Sequence, residues 1–144
     1  MKTEDLPLQS EQVAKLIDAA KSAAANAYAP YSNFRVGAAL LLMDGTIVTG
    51  ANVENASYGL TLCAERSALV RAVSEHGPQM RIRAIALANL NTASSSPCGA
   101  CLQVLAEFIA PGAWIVFPYA GRLESRRFTE LFPFPFDLRE SMTS

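Results

Sequence analysis

The sequence predicts a layered α/β domain built on a mixed sheet. Three observations lead there. Segments of helical and strand period alternate along the chain, the first two strand-like segments are joined by a tight turn and so run antiparallel, and 144 residues is an ordinary length for one domain. A single domain over 1–144 is therefore expected, long enough to bury a core and too short for two of usual size.

Gln9 to Ala27 reads as a helix, with Ser10 as its cap and Val13, Leu16, Ile17 and Ala20 on one face. Its alanine-rich second half suits close packing, and Pro30 ends it between Tyr28 and Tyr31. Phe34 to Leu42 and Thr46 to Val53 follow as strands joined by Met43-Asp44-Gly45, where Asp-Gly supplies the positive backbone angles of a tight hairpin. A second helix opens at Thr61 or Leu62, places Cys63 in its first turn, runs through Ala64, Ala68, Leu69 and Ala72, and breaks at Gly77-Pro78.

Ile82 to Leu90 alternates as a buried strand, and the small polar run Asn89 to Ser96 is a loop. Ser96-Pro97 is an N-cap followed by a first-turn proline, so a third helix carries Leu102, Leu105 and Phe108 and ends near Ala110-Pro111-Gly112. Trp114 to Phe117 is a short strand. From Phe128 the aromatic and proline-rich tail cannot stay helical past its first turn, and an apolar non-helical tail needs something to cover it.

Composition narrows the functional classes. Net charge is −1, with Lys and Arg scattered, which argues against the basic groove that polynucleotides require. Of the two local clusters, Arg81 with Arg83 reads as a solvated strand edge and Arg126 with Arg127 as a helix face. Met1 to Leu8 has no secretory core segment, and the run Val36 to Met43 falls far short of the roughly 20 apolar residues of a membrane helix, so no membrane partner is expected. A hydrophobic content of 51% suggests that some apolar surface is buried between subunits.

All three cysteines, Cys63, Cys98 and Cys101, fall in two segments predicted to open helices, and Glu65 stands two positions after the first. Three thiolates leave one position of a zinc ion open, the arrangement of sites that do chemistry rather than hold structure. The one histidine, His76, reads as a solvated loop residue, so either a carboxylate or water completes the site, with Glu65 the base beside that water. Helix N-termini and Arg66 would stabilise the thiolates. A structural zinc knot and a dithiol redox pair are the alternatives. Cys-Ala-Glu weighs against the first, and the lack of a thioredoxin-like strand before the motif against the second. Thiols assigned to metal fit a reducing compartment, and a cytoplasmic location is expected.

The blocks Tyr31-Ser-Asn-Phe-Arg-Val-Gly-Ala-Ala-Leu40, Asn52-Val-Glu-Asn-Ala-Ser-Tyr58, Cys63-Ala-Glu-Arg66 and Pro97-Cys-Gly-Ala-Cys-Leu-Gln-Val-Leu105 resemble those of the small homotetrameric cytidine deaminases with a three-cysteine zinc site, in the same order and spacing. The resemblance spans nearly the whole chain. It implies a three-layer α/β/α fold on a mixed five-stranded sheet, one zinc per subunit, and hydrolysis of free cytidine or 2′-deoxycytidine to the uridine and ammonia. It implies that zinc activates the attacking water while Glu65 acts as base and acid, and that the main chain at Ala64 and Ser96 orients the amide face and leaving group.

Phe34 would stack on the pyrimidine, and Asn52 and Glu54 would hold the ribose, with Ala56 and Tyr58 nearby. Phe136 would lid the site of a neighbouring subunit in a homotetramer. Two positions depart from the pattern: Leu102 stands where most relatives carry arginine, and Phe136-Asp137 where Phe-Gly is common. A widened range, such as groups on the exocyclic nitrogen, would accompany such changes. A deaminase of a modified cytidine or nucleoside antibiotic, and a noncatalytic zinc-stabilised binding module, are the rival readings.

Overall fold

The structure, a computed structural model, describes residues 9–139. The amino-terminal stretch Met1 to Leu8, read above as carrying no secretory signal, lies outside them. Five strands form one sheet in the order β2-β1-β3-β4-β5, with β1 (Val36–Leu42), β2 (Ile47–Ala51), β3 (Ile82–Asn89), β4 (Ile109–Tyr119) and β5 (Arg122–Arg127). Only β3 and β4 are parallel, so the sheet is mixed as expected. Helix α1 (Ser10–Ala24) covers one face, and α2 (Ala64–His76), α3 (Gly99–Ala106) and the single-turn α4 (Phe128–Leu131) cover the other. This is the three-layer α/β/α arrangement.

Strand alternation divides the core between those faces. Ala39, Leu41, Ala84, Ala86 and Ala88 meet Leu16 and Ala20 of α1. Ala38, Leu40, Ile85, Leu87, Ile115 and Phe117 meet Ala68, Leu69, Leu102, Leu105 and Phe128. Two glycines set how close the helices come. A Cβ on Gly37 would lie 1.9 Å from the carbonyl oxygen of Ala20, and one on Gly50 would lie 2.3 Å from the backbone nitrogen of Ala68. No larger residue fits at either place without moving a helix, so Gly50 fixes the height of α2, the helix that carries Glu65, above the sheet.

Several boundaries differ from expectation. Gln9, not Ser10, caps α1, through a reciprocal capping box with Gln12. In the hairpin only Gly45 takes a positive φ, 91°, while Asp44 accepts a hydrogen bond from the Thr46 N–H at 2.9 Å. Strand β1 starts at Val36 rather than Phe34, because the backbone around Phe34 bonds to side chains: Arg35 N–H to Asn91 and Val36 N–H to Asn52. Helix α2 starts at Ala64, since Leu62 is still extended and exchanges two 2.9 Å hydrogen bonds with Val53. His76 is the last residue of α2 and is exposed, not part of the loop.

At the other end of the chain, α3 stops at Ala106, and Pro111-Gly112 lies inside β4 instead of ending a helix. Ile109 pairs with Ile82 and Trp114 with Ala84, so the intervening residues bulge out of the ladder, where a proline costs no hydrogen bond. Arg126 and Arg127 are on strand β5, not a helix face, and Arg83 is on the central strand β3. The Arg127 guanidinium lies 4.7 Å from the centroid of Trp114 on the neighbouring strand. Among the described residues no helix is long and apolar enough to cross a membrane.

Candidate active site

Cys63 is the N-cap of α2, and Cys98 is the N-cap of α3, the place expected of Ser96. Cys101 sits one turn into α3, and its N–H donates to the Cys98 sulfur at 3.4 Å. The two helices thus start side by side at the metal-binding end of the sheet, and the three sulfurs lie within 4.8 Å of one another. Cys98 Sγ and Cys101 Sγ are 3.4 Å apart. Zinc–sulfur bonds of about 2.3 Å in a tetrahedron need sulfurs about 3.8 Å apart, so this triangle fits a zinc ion, and thiolate donors suit it.

Charge at the triangle is already arranged. The Cys63 thiol is drawn down to about 5, first by its hydrogen bond with Cys101 and then by Arg66, whose Nη2 donates to Cys63 Sγ at 3.4 Å. Cys101 is pushed up, first by its hydrogen bond with Cys63 and then by burial. Both sulfur-bearing helix starts add the positive end of a helix dipole.

Glu65, the second residue of α2, is 5% exposed, and burial raises its pKa. Among the described residues the group placed to bind a metal consists of the three cysteines, and Glu65 is not part of it. Instead it lines a cavity of about 200 Å³ together with Phe34, Asn52, Cys63, Ala64, Ser96 and Cys98. A buried carboxyl group beside a three-sulfur site, in a cavity shared with an aromatic ring, holds a proton more tightly than a solvated one and can exchange it within a water-poor space.

Residues 10–116, all three cysteines included, match the family described as the cytidine and deoxycytidylate deaminase zinc-binding region. The chain belongs to that deaminase family. It is 49% identical to the cytidine deaminase of Halalkalibacterium halodurans over 76% of this chain and 79% of that one. The crystal structure of cytidine deaminase from Mycobacterium tuberculosis superimposes with a TM-score of 0.76 at 44% identity, covering 88% of this chain and 98% of that one. The cytidine deaminase of Burkholderia pseudomallei superimposes with a TM-score of 0.78 at 42% identity, covering 90% and 100%. The zinc-binding region of the deaminase family is thus represented here by Cys63, Cys98 and Cys101.

Within this deaminase fold the residues singled out from sequence take different places. Phe34, Asn52, Ala64, Glu65 and Ser96 share the cavity wall, and Arg66 reaches the sulfurs. Asn52 spends its amide on the chain: Nδ2–H donates to the Phe34 carbonyl at 2.8 Å, and Oδ1 accepts from Val36 N–H at 2.9 Å. Glu54 is buried just behind. It accepts from the N–H groups of Tyr31 at 3.0 Å and Ser32 at 3.2 Å and from the Ser32 hydroxyl, whose oxygen in turn accepts from Phe34 N–H. The two polar residues therefore hold the turn that presents Phe34.

Ala56 and Tyr58 are exposed and outside the cavity, Tyr58 beginning a short 3-10 turn (Tyr58–Leu60) with its ring 6.4 Å from that of Tyr31. Phe136 is 70% exposed and does not line its own chain's cavity. Thr61, Ser95, Val36 and Leu87 do line it and were not anticipated. Strand alternation would have found Val36, two residues from Phe34. Ser95 is placed by its N–H bond to the Pro118 carbonyl at 2.8 Å, a contact distant in sequence.

Proposed function

We propose that this chain hydrolyses free cytidine and 2′-deoxycytidine at ring carbon C4, consuming water and releasing ammonia with uridine or 2′-deoxyuridine. The observation that carries this reading is the juxtaposition of Glu65, buried and outside the sulfur group, with Cys63 and Cys98, two corners of the three-sulfur triangle, on the wall of one cavity that Phe34 also lines.

Cys63, Cys98 and Cys101 would hold one zinc per subunit. When bound, the zinc supplies an open coordination position that makes water a usable nucleophile near neutral pH. Glu65 takes up the proton that water loses, passes it to ring N3, and assists proton delivery to the departing amine, so the same carboxyl serves as base and then as acid. Burial raises its proton affinity, which favours the second role. Phe34 stacks on the pyrimidine, and the main chain at Ala64 and Ser96 orients the amide face and the leaving group.

Asn52 and Glu54 face the ribose, each retaining lone pairs or an N–H beyond those used on the Phe34 turn. Ala56 and Tyr58 lie at the sugar end, outside the cavity of a single chain. Phe136 reaches a neighbouring subunit, which makes the working enzyme a homotetramer and explains an exposed aromatic tail. The three unpaired thiols fit a reducing, cytoplasmic setting.

The test is ammonia release from cytidine, 2′-deoxycytidine and N4-substituted cytidines, with zinc content measured on the same samples. Turnover of the two unmodified nucleosides by zinc-loaded protein is expected. Activity confined to the substituted analogues would favour a deaminase of modified cytidines, and zinc without turnover of any of them would favour a binding module. Sedimentation of a fully active monomer would overturn the tetramer.

A further inference from the structure

After α4 the chain turns away from regular structure through Phe132, Pro133, Phe134, Pro135 and Phe136. The two prolines donate no hydrogen bonds and stiffen the segment. Phe128 anchors its start in the core, with Phe132 edge-on at 6.4 Å. Beyond that, among the hydrogen bonds of the described residues, the backbone is held at Phe136 by the side chain of Gln103. Gln103 Nε2–H donates to the Phe136 carbonyl at 2.8 Å, and Gln103 Oε1 accepts from the Phe136 N–H at 3.2 Å.

Both polar backbone groups of Phe136 are thus taken by one amide, much as a neighbouring strand would take them. Gln103 stands on α3 two residues after Cys101, so the pin connects the tail directly to the helix that carries two of the sulfurs. Pairing on one side of the backbone leaves the ring little freedom of direction. It also selects which aromatic is displayed at a fixed place. Phe134, two residues earlier and 92% exposed, has no such clamp among the described residues, whereas Phe136 does.

We propose that Gln103 is a positioning residue for substrate binding: its amide sets the register of the tail so that Phe136, and not Phe134, is delivered to the cavity of the neighbouring subunit. This rests on the reading of Phe136 as that cavity's lid. A lid held ready by two hydrogen bonds closes over nucleoside without the ordering cost a loose tail would incur. Methionine at this position has nearly the same length and no amide, so Gln103→Met removes the pin without emptying the space.

The experiment compares the zinc-loaded wild type with Gln103→Met, Phe136→Ala, the double variant and Phe134→Ala, recording kcat and KM for cytidine, zinc per chain and sedimentation. Gln103→Met should raise KM about ten-fold while kcat falls less than about three-fold, with zinc and assembly unchanged, since the ring acts by closing over bound substrate. Phe136→Ala should raise KM at least as much, and the double variant no further, because both changes remove one device. Phe134→Ala should stay within about two-fold of wild type.

A wild-type KM for Gln103→Met, or effects of the two single changes that multiply, would remove Gln103 while leaving the lid intact. A wild-type KM for Phe136→Ala would remove the lid, and the proposal with it. Amide hydrogen exchange supplies a check that needs no variant: the Phe136 N–H of the wild-type assembly should exchange at least about ten-fold more slowly than an unstructured amide, and free exchange there would sink the pin.

Discussion

Arg66 Nη2 lies 3.4 Å from the sulfur of Cys63, the residue that caps the helix on which Arg66 itself stands. Three thiolates around a divalent cation carry a formal charge of about −1, and one guanidinium brings the cluster close to neutral. A positive charge at this place favours loss of a proton nearby. Arg66→Met should therefore keep its zinc but raise the pH at which activity sets in, moving the acid limb of the kcat/KM profile upward. An unmoved acid limb would show that the guanidinium serves only to pack.

Glu65→Gln keeps the shape of the cavity wall and removes the group that moves protons. Zinc content should remain at one per chain while kcat falls by about 10²–10⁴-fold or more. Metal analysis alongside steady-state kinetics separates this from a folding defect, and near-normal turnover would end the assignment of Glu65.

Cys98→Ala removes one corner of the sulfur triangle and, because Cys98 also caps α3, one acceptor for the Cys101 N–H. Zinc after dialysis should fall to about a tenth or less of the wild-type content, with a lower melting temperature. Full retention of zinc would take Cys98 out of the ligand set.

Glu54 makes stability depend on pH in a definite direction. The Ser32 hydroxyl, then the N–H groups of Ser32 and Tyr31, hold its carboxyl below the ordinary value of 4.5. A carboxyl lowered in the folded state contributes its full stability above that ordinary value and loses it as pH falls through the folded value. The melting temperature should thus drop as pH falls below about 4.5, and Glu54→Gln should show a shallower drop over the same acid range. Identical slopes for the two proteins would contradict this.

Gly50→Ala puts a Cβ 2.3 Å from the backbone nitrogen of Ala68, where no flexible side chain can yield. Helix α2 must shift, at a cost of about 1–3 kcal/mol or more in denaturant unfolding. Because α2 carries Cys63 and Glu65, zinc affinity and turnover should fall together. A stable variant with wild-type zinc affinity would mean that the sheet, not the helix, gives way.

The metal-binding half of the molecule was legible because its signals are local. Cys98 and Cys101 are one helical turn apart in any helix, and Cys63 and Glu65 bracket a helix start whichever residue caps it. The helices open two or three residues later than expected because Leu62 is held extended by Val53, and because the Cys98 sulfur takes the capping role from Ser96. Strand β5 was not legible: Arg122 to Arg127 has almost no apolar alternation, and its extension comes from pairing with β4 and from Arg127 lying over Trp114. Alternation placed Asn52 and Glu54 on one side, but their attachment to the turn before Phe34 depends on chain folding back from some twenty residues away.

Cys63 and Cys98 each mark the first peptide of a helix and each present a sulfur to the same point. Landmark and ligand are therefore one residue. Lengthening or shortening the loops that arrive at either helix moves the connecting chain but carries neither of these sulfurs out of step with its helix, so loop length there does not by itself retune the metal site.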